Sequence, residues 1–143
     1  MAKPDPALLN PARYPYQLDI PTRFGDLDMN QHINNVAMAG LFEDARVRFL
    51  YGTGAMGTSS PVQPMAASFG IEYLQQAYYP APLSFHVGVL HMGRTSYTLI
   101  HLAMQDERAV ALAQSVVVST CEGRPCPLPP EVEAETRKWM LRP

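Results

Sequence analysis

The chain of 143 residues has few cysteines and no long apolar run, and we expect no secretory leader. Two cysteines, Cys121 and Cys126, are too few for a disulfide framework, and we expect free thiols. No apolar stretch approaches the roughly 20 residues that a transmembrane helix needs, so we expect no membrane partner. The opening Met-Ala-Lys-Pro-Asp-Pro has no apolar segment after its one basic residue, which indicates a cytoplasmic protein.

An excess of basic residues is also missing. The 11 Lys and Arg residues face 13 Asp and Glu residues, for a formal net charge of −2. Proteins that contact many phosphates carry a clear basic excess, so nucleic acid is not expected as a main partner. A content of 47% hydrophobic and 17% charged residues excludes a disordered chain, and the length fits one domain with its own core.

The apolar pattern predicts one long helix among five strands. A first strand covers 16–24, and Pro21 indicates an edge position or a bulge. The period then becomes helical over 35–51, where Asn34 is placed to begin the helix and Gly52 to end it. Four strand-like runs follow, at 67–73, 83–89, 97–104 and 110–120.

The connections and the chain ends complete the predicted organisation. Connections of hairpin length at 79–82, 91–95 and 105–108 predict that strands adjacent in sequence pair antiparallel. We expect a Gly/Ser/Thr/Pro loop at 52–64 and, after Pro130, a short helix over 131–141. The expected segments are an extended, proline-rich lead-in (1–15), the domain (16–121), and a Pro-rich turn with the short helix (122–143). One helix covers only one face of such a sheet, so we expect a homodimer at least, with a homotetramer open.

A polar turn directly before the helix carries the chemistry. Residues 26–35 read Asp-Leu-Asp-Met-Asn-Gln-His-Ile-Asn-Asn. This position puts Asp28 near free backbone N–H groups and the positive end of the helix dipole, which also stabilise a developing oxyanion. A carboxylate beside an oxyanion site suits acyl transfer. Because a thiol of pKa about 8.5 leaves as a thiolate without a general acid, a thioester fits better than an amide.

This turn, running into Leu41-Phe42-Glu43-Asp44-Ala45-Arg46, resembles the signature of hotdog-fold thioesterases. The Asp-x-Asp turn is similar to the 4-hydroxybenzoyl-CoA thioesterase family, and the Asp-x-Asn-x-His-x-Asn-Asn form is similar to plant acyl-ACP thioesterases. Weaker matches are Ile71-Glu72-Tyr73 and Gly93-Arg94-Thr95-Ser96-Tyr97. Over roughly 16–120, the resemblance implies an α+β hotdog domain, in which an antiparallel five-stranded sheet wraps around one long central helix.

The resemblance also implies roles for individual residues. Asp28 is the implied catalytic carboxylate, Asn30 and His32 are its polar partners, and the backbone N–H near Asn35 polarises the thioester carbonyl. Three further residues are expected to contact substrate: Arg94 at a CoA phosphate, Ser96 near the thioester, and Met38, which stands where a Tyr is usual. Two other positions depart from the family pattern: Gln31 replaces a Gly, and Gln76 replaces the Glu of the acyl-ACP enzymes.

We therefore predict an acyl thioesterase that hydrolyses an acyl-CoA or acyl-carrier thioester, with Asp28 as general base or nucleophile. No cofactor is expected, and no metal, because His86, His91 and His101 share no ligand spacing. Asp26 is expected to be structural. Two alternatives stay open: a non-hydrolytic acyl-thioester-binding or scaffolding protein, and a hotdog dehydratase or hydratase.

Overall fold

The computed structural model describes residues 3–56 and 62–143. Its helices and strands are β1 (Tyr16–Ile20), α1 (Asn35–Thr53), β2 (Val62–Tyr73), β3 (Leu83–Met92), β4 (Ser96–Gln105), β5 (Arg108–Cys121), β6 (Arg124–Pro125) and α2 (Pro130–Arg137). The antiparallel sheet has the order β1-β3-β4-β5-β2, with the two-residue β6 added beside β5. The sheet curls around α1, which confirms the predicted α+β hotdog architecture. None of the described helices combines the length and the apolar character that crossing a bilayer requires.

Helix α1 forms where the sequence predicts it, but it ends later. Asn34 caps the helix, since its side chain accepts a hydrogen bond from the Val36 N–H. Its buried side chains recur with the helical period predicted over 35–51 and continue beyond it to Thr53: Met38, Leu41, Phe42, Ala45, Phe49, Leu50 and Thr53. The predicted end at Gly52 is wrong, because Gly54, with a φ of 80°, is the residue that adopts the left-handed conformation of a C-cap.

The predicted pairing of the strands that flank residues 79–82 is wrong. β2 pairs with β5 instead of β3. β3 already has β4 on one side and β1 on the other, whereas β5 has a free edge once the tight turn at 105–108 has paired it with β4. Residues 74–82 are therefore a crossing loop between two separated strands, not a hairpin.

The other strand predictions need smaller changes. The hairpins at 91–95 and 105–108 form as predicted, and β1 is an edge strand. β1 stops at Ile20, before Pro21, instead of continuing to residue 24. β2 begins at Val62, inside the predicted loop, and residues 57–61 of that loop lie outside the described residues.

The chain ends cover part of the sheet face that α1 leaves open. The described part of the lead-in is not extended: it forms 3₁₀ turns at Pro6–Leu9 and Pro11–Arg13. Proline is tolerated at the first position of such a turn, because its missing N–H would have no partner there. Together with Leu141, these turns bury an outer cluster that includes Tyr14, Ile100, Leu102 and Leu112. The chain itself thus supplies part of the cover that we expected from a partner, and α2 ends at Arg137, not at residue 141.

The expectation of free thiols at Cys121 and Cys126 is wrong, because the two form a disulfide across the β5–β6 hairpin. Glu122 and Gly123 both adopt left-handed backbone conformations and make the tight turn between these strands. The count of cysteines excluded a framework of several disulfides. It could not exclude a single bridge, which depends on a turn that places two nearby cysteines side by side.

Candidate functional site

The polar turn before α1 is closed by its own backbone. Leu27 and Ile33 form an isolated antiparallel bridge, and the Asp28 N–H donates to the His32 carbonyl over 2.9 Å. The Gln31 N–H donates to the Asp28 carbonyl over 3.0 Å, and Gln31 itself has a φ of 63°. Residues 28–32 are therefore a fixed loop that projects from the start of the helix.

The Asp28 carboxylate has a structural role and keeps one oxygen available. Its Oδ1 accepts hydrogen bonds from the Asn30 N–H at 2.9 Å and the His32 N–H at 3.1 Å. Within residues 3–56 and 62–143, Oδ2 accepts no hydrogen bond, and the side chain is half-buried. The turn thus orients the carboxylate through one oxygen and leaves the other for water or substrate.

Asp26, by contrast, is committed entirely to structure, as expected. Its buried carboxylate accepts hydrogen bonds from the Arg23 backbone N–H and from the Arg23 guanidinium, at 2.9 Å and 2.8 Å. The hydrogen-bonded guanidinium holds the pKa of Asp26 below its ordinary value. The Asp26 carbonyl also accepts the Asn34 N–H over 2.8 Å, which ties the beginning of the turn to the helix cap.

The first turn of α1 presents a backbone donor. The Asn34 carbonyl accepts the Met38 N–H, and its side chain takes the Val36 N–H. The Asn35 N–H, by comparison, has no acceptor in the part of the chain that the structure describes. The Tyr73 hydroxyl donates to the Asn35 carbonyl over 2.7 Å, which fixes this first turn against the end of β2. The first turn of α1 is therefore held in place, and within the described residues the Asn35 N–H stays available as a hydrogen-bond donor.

A groove of about 340 Å³ opens at this end of the helix. It is lined by Ile33, Asn35, Met38, Tyr73, Leu74, Gln75, Gln76 and Ala77. The Ile33 N–H donates to the Ala77 carbonyl over 2.8 Å, so the wall of the groove and the polar turn are joined. Met38 is 3% exposed and is mainly a core residue that meets the groove at its edge.

Arg94 and Ser96 lie elsewhere in the protomer. They belong to the turn between β3 and β4, where the Arg94 carbonyl accepts the Leu128 N–H and the Ser96 carbonyl accepts the Gly93 N–H. β4 runs from Ser96 to Gln105, a span of roughly 30 Å, and its Gln105 end contacts the loop beside the groove. One protomer therefore brings together Asp28, Asn30, His32, Asn35 and Met38, and it leaves Arg94 and Ser96 at the opposite end of the sheet.

Residues that sequence reasoning missed line the approach to the turn. The ring of Tyr78 meets the His32 imidazole edge-on, with centroids 5.4 Å apart, and Phe24 meets Tyr79 in the same way at 6.1 Å. All three Phe and Tyr side chains are more than 40% exposed. The run Tyr78-Tyr79-Pro80, in a predicted connection between strands, was the only sequence feature that indicated this aromatic cluster. It did not indicate that the cluster lies near the start of α1.

Of the three strand histidines, His86 and His101 are buried and His91 is exposed. His101 is fully buried, with its Nε2 3.1 Å from the Ser115 hydroxyl, and its pKa is lowered to about 3, chiefly by burial and secondarily by Arg46. Burial also lowers the pKa of His86, which contacts the Ser84 hydroxyl. Across the described ranges, no three His, Cys, Asp or Glu side chains are grouped to hold a metal ion.

Comparison with known proteins identifies the family of this chain. The model of the thioesterase-like superfamily matches residues 22–136. The uncharacterized protein YsmA of Bacillus subtilis is 27% identical over 99 residues, which are 69% of this chain and 67% of that protein.

Solved structures share the fold. The PA5185 protein of Pseudomonas aeruginosa superposes with a TM-score of 0.82 at 21% identity, over 91% of this chain and 94% of that one. A Thermus thermophilus thioesterase complexed with coenzyme A and zinc has a TM-score of 0.76 at 25% identity, over 88% and 95%. Because the family model spans most of its length, the chain belongs to the thioesterase-like superfamily.

Proposed function

We propose that this protein hydrolyses an acyl thioester, with coenzyme A as the preferred thiol carrier and Asp28 as the reacting carboxylate. The observation that carries the proposal is the arrangement at the start of α1. A carboxylate with one uncommitted oxygen lies in a fixed turn. This turn leads into the first helix residue, Asn35, which lines the groove and has an unpaired N–H within the described residues. The coenzyme A bound to the Thermus thermophilus relative supports this choice of carrier.

The proposed reaction uses groups of this chain alone. Asp28 Oδ2 takes a proton from water while the water oxygen attacks the thioester carbonyl. The carbonyl oxygen, now negative, accepts a hydrogen bond from the Asn35 N–H at the positive end of the helix. Collapse of the intermediate breaks the C–S bond and releases the acid and a thiolate. In the covalent version, Asp28 Oδ2 attacks the carbonyl carbon and the C–S bond breaks to release the thiolate. Water then hydrolyses the resulting anhydride to the free acid and regenerates the Asp28 carboxylate.

Asn30 and His32 have supporting places in this proposal. Their backbone N–H groups hold Asp28 Oδ1, so any change in the turn changes the direction of Oδ2. The His32 imidazole lies on the same loop, against Tyr78, and is available to hydrogen-bond the attacking water or the leaving sulfur. Met38 would meet the acyl chain where it enters the groove.

A second copy of the chain is part of the proposal. β2 is an edge strand of twelve residues, exposed from Met65 to Gly70, and two apolar side chains near the site, Met29 and Val36, are 91% and 80% exposed. Antiparallel pairing of two β2 strands places opposite ends of the protomers side by side. The turn that bears the partner's Arg94 and the partner's Ser96 lies at the Val62 end, and would approach the Tyr73 end beside the groove.

The decisive experiment is Asp28→Asn, measured as thiol release from acyl-CoA and acyl-carrier thioesters of several chain lengths. Asn keeps an oxygen at Oδ1 for the turn, so we expect an unchanged melting temperature and a kcat lower by about 10² to 10⁴-fold. Asp19→Asn, an exposed carboxylate on β1, is the matched control and should keep full activity. Wild-type activity in Asp28→Asn would refute the assignment.

The same preparation separates the alternatives. Acyl-CoA binding by the wild type without thiol release would favour a scaffolding role, and hydration of an enoyl thioester would favour a hydratase. Mass measurement in solution tests the assembly and distinguishes a homodimer from a homotetramer. If the partner's turn reaches the site, Arg94→Ala raises KM for a CoA thioester up to about tenfold and leaves kcat unchanged, whereas a monomeric wild type would contradict the shared site.

A further inference from the structure

We propose that Gln105 is a positioning residue, which clamps the loop 77–81 so that this loop holds the catalytic turn in its reactive geometry. The inference rests on the proposed function, because it assigns a role toward Asp28 and His32. Gln105 is the last residue of β4 and is 2% exposed. It contacts no reacting group itself, so its influence must pass through the loop.

The side-chain amide of Gln105 makes three hydrogen bonds, all with backbone groups of the loop. Its Oε1 accepts the Tyr78 N–H at 2.8 Å, and its Nε2 donates to the Tyr78 carbonyl at 2.7 Å and to the Ala81 carbonyl at 2.9 Å. A buried amide that makes three hydrogen bonds fixes three backbone groups that no strand satisfies. Loss of these bonds leaves the Tyr78 N–H and carbonyl without their partner in the protein.

The loop needs such an anchor because of the strand order. It crosses from β2, at one edge of the sheet, to β3, near the other edge, and forms no hairpin ladder. A second buried side chain assists at one point, since the Thr22 hydroxyl donates to the Ala81 carbonyl at 3.0 Å. Gln105 is therefore the main anchor of the loop and Thr22 a minor one.

The other side of the loop contacts the proposed site directly. The Ala77 carbonyl accepts the Ile33 N–H at 2.8 Å, one residue before the helix cap. The Tyr78 ring lies against the His32 imidazole at 5.4 Å, with the planes 79° apart. These two contacts hold His32 and Ile33, the adjacent residues that precede the helix cap, so a released loop would let His32 and the Asn35 N–H drift from Asp28.

The test replaces the amide while keeping the shape of the side chain. Gln105→Met removes all three hydrogen bonds, and we expect kcat to fall about 10- to 100-fold while KM changes less than threefold. Gln105→Glu keeps the acceptor for the Tyr78 N–H but turns a carboxylate oxygen toward the Tyr78 and Ala81 carbonyls, so we expect kcat to fall at least as far as in Gln105→Met. Thr22→Val should have a smaller effect than either, and Gln114→Met, at an exposed position on β5, should match the wild type.

A readout independent of activity is the NMR signal of the His32 imidazole. Gln105→Met should shift and broaden the His32 ring resonances, whereas Gln114→Met should leave them unchanged. Sharp, unshifted His32 signals together with wild-type kcat in folded Gln105→Met would overturn the proposal.

Two further outcomes separate this inference from the proposed function. If Asp28→Asn stays active, the proposed function fails, while the His32 signals still decide whether the clamp exists. If Gln105→Met does not fold, Tyr78→Leu replaces it, because the backbone bonds to Gln105 remain and only the ring contact to His32 is lost. Tyr78→Leu should then lower kcat at unchanged stability, and an unchanged kcat would overturn the proposal.

Discussion

The two ends of helix α1 differ in what surrounds them. At the amino end lie a polar turn, an uncommitted carboxylate oxygen and an open groove. At the carboxyl end, Phe49 packs edge-on against Tyr16 and Trp139, with centroids 5.2 Å and 6.1 Å apart, inside a cluster that includes Leu128 and Val132. One side of the carboxyl half of the helix is thus packed against aromatic and aliphatic side chains. The amino end, where the helix dipole stabilises an oxyanion, opens onto the groove.

The largest expected effect concerns the packed carboxyl half of α1. Phe49→Ala removes a fully buried ring and should lower the free energy of unfolding by about 3–5 kcal/mol, as measured by urea titration. Because the site lies at the other end of the helix, kcat per folded molecule should stay within about twofold. A large loss of kcat in variant protein shown to be folded would mean that the two ends are not independent.

The next effect concerns His101, which is buried between the two ends. Its folded pKa of about 3 lies below its ordinary value of 6.5, so the unfolded state binds the proton more readily between these values. The stability due to the neutral ring is therefore complete above pH 6.5 and declines as the pH falls toward 3. From pH 7 to pH 4 the loss should be of the order of a few kcal/mol.

Urea titrations of the wild type and His101→Gln at both pH values check this. The variant is expected to be less stable at pH 7, because it loses the contact between the His101 ring and the Ser115 hydroxyl. It should lose less stability on acidification, because Gln has no group that titrates. Equal pH slopes for the two proteins would contradict the assignment to His101.

The smallest effect on stability tests the open end. Asn34→Ala removes the helix cap and should cost about 1 kcal/mol in unfolding free energy. Since the cap also positions the first helix turn, we expect kcat to fall more than tenfold. Asn10→Ala is the matched control: it removes a side-chain cap of the same kind from the Pro11–Arg13 turn and should leave kcat unchanged. Equal losses of kcat in the two variants would contradict a specific role of the Asn34 cap in activity.

What the sequence predicts well is local. The cap at Asn34, the buried row that includes Leu41, Phe42 and Ala45, and the turns between β3, β4 and β5 follow from periodicity and from residues close in the chain. The hydrogen bonds that orient the Asp28 carboxylate inside the polar turn are also local, since each spans four residues or fewer.

What sequence reasoning missed is long-range. The pairing of β2 with β5 joins residues that are 38 to 59 positions apart in the chain, and it depends on which strand edges remain free after the hairpins have formed. Gln105 shows no signal in the sequence, because its partners at Tyr78 and Ala81 are backbone groups more than 20 residues away. The sequence also does not show that Arg94 lies far from Asp28, because this separation depends on how the strands are arranged in the sheet.

The two chain ends that cover the outer face hold each other. The Arg142 N–H donates to the Arg13 carbonyl, and the Arg13 Nε donates to the Arg142 carbonyl, each at 2.8 Å. Both segments also lie over Gly88, where an added methyl group would meet Leu141 at 2.7 Å and Pro15 at 3.1 Å. The two chain ends therefore stabilise each other. Proteolytic removal of either one would loosen the other and expose the outer cluster beneath them.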